Sequence, residues 1–289
     1  MWRQVLLVTG LMMCMPAQAE LRHYVASLDN STWSVAKDSP VECRLEHNIP
    51  SYGTAVFKSR SGKELNMQFT LDMWMKPGRT TEAKLISRAP QWRPGVNSRT
   101  ITDLTYHRYF NGEVPKQAAW TMLNELSRGM EPTFYYADWY DPSLEIAVGI
   151  SSANFQSTYG KFRACLANLL PYGFDEIAFT VLNYQEGGTK LTRFSQQQLN
   201  RVQEYLSHDP DVELVLVDAY TDSYGGKTVN QRVSEQRAQS VKDILVASGI
   251  DQQRIQTSGH GKRRHVTGNA LVDERQINRR VVIRITKDI

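Results

Sequence analysis

The spacing of apolar positions changes about halfway along the chain. In the first half, Leu65, Met67, Phe69, Leu71, Met73 and Met75 alternate with polar or opposite-face residues, which predicts a long half-buried strand. Ala55-Val56-Phe57 and the polar Ser59-Arg60-Ser61-Gly62-Lys63 stretch before it predict a hairpin, with further strands at 84–87, 133–136 and 144–149. One helix is predicted, opening at Pro115 and running through Trp120, Met122, Leu123 and Leu126 to Gly129. This half reads as a β-rich barrel or sandwich.

The second half alternates strand and helix. Residues 177–182 predict a strand, and 195–206 a helix with Leu199, Val202 and Leu206 on one face. VELVLV, residues 212–217, is a short apolar run between Asp209-Pro210 and Gly225-Gly226, expected to be a strand buried on both faces. From about 228 to 248, Val229, Val233, Val241, Ile244 and Leu245 recur at helical spacing, and Gly249 supplies the terminating residue. A last strand is expected at 281–285, giving an α/β sandwich and an α+β chain overall. Pro171 and Gly173 place the boundary between residues 20–171 and 172–289. Trp33, Trp74, Trp92, Trp120 and Trp139 all precede that boundary, which is consistent with two separate cores.

One position breaks the helical pattern. At 100° per residue, Asn230 and Arg237 fall in the arc of Val233, Val241 and Ile244, so the Arg237 guanidinium is turned inward. An inward charge is costly unless it meets an anion. Asp222, just past the preceding strand, is the nearest candidate by topology. A structural ion pair and a ligand site both remain open on residue types alone.

Composition narrows the compartment. Arg3, an apolar stretch from Val5 to Met15 and Ala17-Gln18-Ala19 before Glu20 form a secretory leader, with cleavage expected after Ala19. Met12-Met13 before Cys14 does not suit a lipoprotein signal. The apolar stretch is too short to span a bilayer, and no other run in residues 20–289 is long enough. An exported, periplasmic chain is expected. The net charge is +4, falling to +3 when Arg3 leaves, too mild to argue for nucleic acid. Cys43 and Cys165 then remain, and in an oxidising compartment they are most simply one disulfide. Cys43 and His47 could form half of a metal site, but a second half-site with ligand spacing is lacking. No metal or cofactor is expected.

Catalytic motifs are incomplete. Ser34-Val35-Ala36-Lys37 has the S-x-x-K spacing of penicillin-binding proteins without a Ser-Asp-Asn or Lys-Thr-Gly companion, so a wall-active hydrolase is the weaker alternative. Gly259-His260-Gly261 lacks the third glycine of a dinucleotide loop, and His260 and His265 read as loop histidines.

The ordered set Thr221-Asp222-Ser223, Asn230, Ser234, Arg237-Ala238, Val241, Gly249, Gly259, Asn269, Arg275 and Asn278-Arg279-Arg280-Val281 resembles the OmpA-like peptidoglycan-binding domain over roughly 172–289. The resemblance implies that Asp222 and Arg237 grip the diaminopimelate of the wall's stem peptide, with Thr221, Asn230 and Arg279 in support. An acid and an arginine suit the ammonium and carboxylate of a free amino-acid end. Two departures stand out: Ala219-Tyr220 where Gly-His is common, and the basic Lys262-Arg263-Arg264-His265 where an acid and a proline are usual. With the leader and the tryptophan-rich first half, including Leu71-Asp72-Met73-Trp74-Met75 and Ala137-Asp138-Trp139-Tyr140, the whole chain resembles the MotY family of periplasmic T-ring proteins. That resemblance implies a non-enzymatic part of a sodium-driven flagellar motor. Its expected partners are the basal body, a MotX-like companion and, indirectly, the stator. A generic wall anchor without a motor role is the nearer alternative.

Overall fold

A computed structural model describes residues 21–185 and 189–287; the predicted leader and its cleavage site lie outside them. In chain order the N-terminal elements are β1 (Leu21–Tyr24), β2 (Trp33–Asp38), β3 (Glu42–Ile49), β4 (Gly53–Arg60), β5 (Asn66–Met73), β6 (Thr81–Arg88), β7 (Arg99–Tyr106), β8 (Gly112–Val114), α1 (Lys116–Ser127), β9 (Glu131–Ala137), β10 (Glu145–Gly149) and α2 (Phe155–Ala167). Then come α3 (Phe174–Ile177), β11 (Phe179–Asn183), α4 (Arg193–His208), β12 (Val212–Ala219), α5 (Lys227–Ala247), β13 (Ile255–Gly259), α6 (Val272–Asn278) and β14 (Arg280–Lys287).

The first ten strands make two open five-stranded sheets, ordered β2-β3-β4-β5-β8 and β1-β10-β9-β6-β7. They form a sandwich, which removes the barrel alternative. Alternation in β5 buries Met67, Phe69, Leu71 and Met73, and Phe69 stacks on Phe134 of the other sheet with ring centroids 5.8 Å apart. The predicted strand is shorter than its apolar pattern, because Leu65 and Met75 lie outside it and are exposed. α1 spans 116–127 as expected, but a second helix follows. α2 has weak amphipathic patterning, and tertiary packing of Phe155, Phe162 and Leu166 holds it. Cys165 on α2 joins Cys43 on β3 in a disulfide with Cα atoms 5.9 Å apart. Cys43 is thereby removed from metal chemistry. His47 stacks on Trp33 and donates its Nδ1 hydrogen to the Thr32 carbonyl at 2.8 Å.

The C-terminal sheet runs β11-β14-β12-β13. β14 is antiparallel to both neighbours, and β12 pairs parallel with β13. α4 and α5 cover it side by side, tied where the Gln203 amide donates to Ser248 Oγ at 2.6 Å. β12 is less completely covered than expected: Val212, Val215 and Val217 are buried, whereas Glu213 is exposed and Leu214 and Leu216 are half-covered. α5 departs further from its predicted face. Its buried stripe is Asn230, Ser234, Ala238, Val241 and Leu245, while Val233 is half-buried and Val229 is 57% exposed. The reason is close approach: a Cβ on Gly259 would lie 2.6 Å from the Glu235 backbone nitrogen and 2.8 Å from Ser234 Oγ. Only small residues fit where the helix meets β13.

The join between the two regions is packed. Val41 and Leu170 contribute to the second core, and the Gly62 N–H donates to the Leu170 carbonyl at 3.1 Å.

Candidate functional site

The ends of four elements converge at the C-terminal end of β12. The chain leaves β12 through Tyr220, Thr221 and Asp222, all buried, and the Thr221 N–H donates to the Gly261 carbonyl at 2.9 Å. Asp222 Oδ1 accepts the Tyr224 N–H at 3.0 Å. Its Oδ2 lies 3.7 Å from Arg279 Nε, within ion-pair reach but too long for a hydrogen bond.

Arg237 emerges from α5 beside this group without pairing to Asp222. Its guanidinium lies 4.3 Å from the centre of the Tyr184 ring. It makes only a long 3.5 Å contact to the Tyr220 carbonyl, and its Nε is shielded from solvent without a hydrogen-bond partner. Burial pulls its pKa below the ordinary arginine value, and the nearby positive charge of Arg279 pulls the same way, while Tyr184 and Asp222 counter them. Two guanidiniums and one carboxylate therefore share a partly desolvated corner. Arg279 Nε is likewise shielded and unbonded.

Of the five predicted site residues, Asp222 and Arg279 lie within ion-pair reach, and Arg237 is near enough to feel the charge of both. Asn230 turns instead to the loop, donating to the Tyr224 carbonyl at 2.8 Å, and Thr221 Oγ1 donates to the Asp222 carbonyl at 3.1 Å. These two shape the backbone that carries Asp222. The sequence reading missed Tyr184, whose position past the end of β11 carries no periodic signal. It also gave no role to Asn278, although that residue was part of the spaced motif. Buried Asn278 accepts the Val266 N–H at 2.9 Å and donates to the Gly268 carbonyl at 2.9 Å, folding the loop opposite Asp222.

Tyr220, the departure from Gly-His, is held from two sides. Arg280 lies 4.0 Å from its ring centre and His260 stacks on it at 4.8 Å. His260 Nε2 is 2.7 Å from Asp218, which also pairs with Arg284 at 2.6 Å. Burial alone would raise the Asp218 pKa, but its bonds to His260 and Arg284 hold it below the ordinary carboxylate value. That network is closed on itself.

A family model described as the MotY N-terminal domain matches residues 24–171, and one described as the OmpA family matches residues 183–279. The sodium-type flagellar protein MotY of Vibrio parahaemolyticus is 44% identical over 262 residues, covering 91% of this chain and 89% of that one. The chain belongs to the MotY family. Beyond the MotY relative, outer membrane protein A of Bordetella avium is 44% identical over 75 residues, which span 26% of this chain and only 39% of that protein. Among solved structures, the peptidoglycan-associated lipoprotein of Burkholderia pseudomallei aligns at 20% identity and a TM-score of 0.34, covering 37% of this chain and 89% of that one. In this MotY-family chain Asp222, Asn230, Arg237 and Arg279 all fall inside the OmpA match.

Proposed function

We propose that this protein is a non-catalytic, periplasmic component of a sodium-driven flagellar motor that fastens the basal body to peptidoglycan. Residues 172–289 hold the wall through the diaminopimelate of a stem peptide. Residues 20–171 associate with the basal body and with a MotX-like companion, giving the stator a fixed support. Membership of the MotY family supports the motor setting. No helix among the described residues is long and apolar enough to cross a membrane.

The observation that carries the wall-binding reading is the state of Arg237. A structural ion pair would place its guanidinium on Asp222, and the two do not pair. A cation without a direct ion pair beside a buried carboxylate suits a zwitterion, whose carboxylate would go to Arg237 and whose ammonium would go to Asp222. The test combines sedimentation with purified peptidoglycan and retention on isolated basal bodies. The intact chain should do both, and a chain ending at residue 171 should keep only basal-body retention. Wall binding by that truncated chain equal to the intact protein would overturn the division.

A further inference from the structure

Beside the clamp, the basic loop that departs from the family pattern holds a third shielded donor. Asn269 Oδ1 accepts the Ser223 N–H at 3.0 Å and the Asn278 amide at 3.2 Å. Two donors converge on that oxygen, so the other end of the Asn269 side chain is its NH2 group. That group lies 3.0 Å from His265 Nδ1. A donor facing Nδ1 makes it the acceptor, which places the ring hydrogen of neutral His265 on Nε2. His265 Nε2 is shielded from solvent and has no hydrogen-bond partner.

The loop is built to keep this arrangement. Asn278, fully buried, bonds to the backbone of residues 266, 267 and 268. Arg264 adopts a left-handed φ of 61°, an uncommon conformation for a residue with a side chain, and its carbonyl accepts from Arg280 at 3.0 Å. The Asn269 amide connects the imidazole to the Asp222-Ser223 turn. An unbonded, shielded N–H costs free energy unless something supplies an acceptor. His265 Nε2 joins Arg237 Nε and Arg279 Nε as the third such donor at this end of the sheet.

We infer that His265 is a ligand-contacting residue of the wall site, its Nε2–H donating to a carboxylate oxygen of the bound stem peptide, with Asn269 as the positioning residue that fixes the tautomer. This rests on the clamp reading above and extends it to a residue type outside the family's usual loop. It implies a ligand end with one ammonium, for Asp222, and more carboxylate oxygen than one arginine can engage. A diaminopimelate whose carboxylates are both free meets that description.

The experiment uses the mature chain, residues 20–289, and the soluble tripeptide L-alanyl-γ-D-glutamyl-meso-diaminopimelate. Calorimetric titration of His265→Phe should show affinity about tenfold weaker at unchanged melting temperature, the loss expected for one hydrogen bond to a charged acceptor. His265→Gln, which can place an amide N–H near the same point, should recover most of it. Independently, nitrogen NMR of the unliganded wild-type imidazole should show the Nε2–H tautomer, and tripeptide should slow exchange of that hydrogen with water. Wild-type affinity in folded His265→Phe, with binding lost in Arg237→Ala, would overturn the role of His265 and leave the clamp. Wild-type affinity in both variants would overturn the clamp as well. An Nδ1–H tautomer in the free protein would overturn the inference even if His265→Phe failed to fold.

Discussion

In the N-terminal sandwich, buried carboxylates are surrounded by cations. Glu42 is met by Arg44 at 2.7 Å, Lys58 at 3.2 Å and Arg60 at 3.3 Å. Glu131 takes Arg88, and Glu125 takes Arg99 at 2.6 Å and Arg128 at 3.3 Å. Burial alone would raise the Glu42 pKa, yet the bonds from Arg44 and Lys58 hold it below its ordinary value. At the end of β12 two guanidiniums also flank one carboxylate, but there neither makes a hydrogen bond to it. Charge that serves the fold is matched within the fold. Charge left unmatched in a desolvated corner is stabilised when a ligand completes it.

The largest expected effect tests what closes the sandwich. Replacing both cysteines, Cys43→Ser with Cys165→Ser, should lower stability by up to ~4 to 5 kcal/mol on the chain-entropy account of a loop this long. Denaturant melts under oxidising conditions would measure it, with the tryptophan-free C-terminal region followed by circular dichroism. If the double variant matched the wild type in midpoint, the disulfide would not be what holds α2 to β3.

Arg237→Ala and Asp222→Ala should each weaken binding of peptidoglycan about thirtyfold or more, because losing one partner of a desolvated charge contact costs ~2 to 5 kcal/mol. The melting temperature of Arg237→Ala should hold, since its guanidinium makes only a long contact to the Tyr220 carbonyl; Asp222→Ala also loses the bond from the Tyr224 N–H and should soften the turn slightly. The matched control is Arg88→Ala in the sandwich: it strands buried Glu131, so it should lower stability and leave wall binding intact. A fall in melting temperature that accounts for the binding loss of Arg237→Ala would make the two regions alike and refute the contrast.

How much of this was legible beforehand depends on which signal each part leaves. Alternation in β5 and the run 212–217 were readable because one face or both meet a core. α2 was not, since its helix rests on a few aromatic contacts rather than on a continuous apolar stripe. On α5, hydrophobicity misdirected the reading of the buried face, because Gly259 brings the sheet so close that Ser234 and Ala238 fit where valine does not. The inward turn of Arg237 was legible from angle alone, whereas its failure to pair with Asp222 needed coordinates. The tautomer of His265 depends on Asn269 being oriented by Asn278 and by the backbone of Ser223, and no local pattern encodes that.

The sandwich also carries a group that should respond to acid. Burial depresses the His47 pKa from 6.5 to about 4, opposed by its bond to the Thr32 carbonyl. The folded state therefore binds this proton less readily than the unfolded chain, so stability is retained above pH 6.5 and declines as pH falls toward 4. The loss from this group should reach about 2 to 3 kcal/mol by pH 4. His47→Asn keeps an N–H for Thr32 and removes the titration, so its stability should be flatter across that interval. An equally steep decline in His47→Asn would assign the acid sensitivity elsewhere.

The smallest effect concerns the contact between the two regions. Lys37 on β2 reaches Asp211 beside β12 at 3.1 Å, with side chains 27% and 54% exposed. Water screens such a pair, and ordering two mobile side chains offsets much of the attraction. A double-mutant cycle of Lys37→Ala and Asp211→Ala should give a coupling of about 0.2 to 1 kcal/mol, fading further in high salt. The apolar contact of Val41 and Leu170 with the second core is buried and should matter more than this bridge. Leu170→Ala should destabilise by roughly 2 to 4 kcal/mol, in the range for emptying a buried leucine site. If the Lys37–Asp211 coupling exceeded the Leu170→Ala loss, the join would be electrostatic and salt-sensitive. The opposite order makes it a packed seam, which could carry load between a wall-bound end and a motor-bound end without loosening as ionic strength rises.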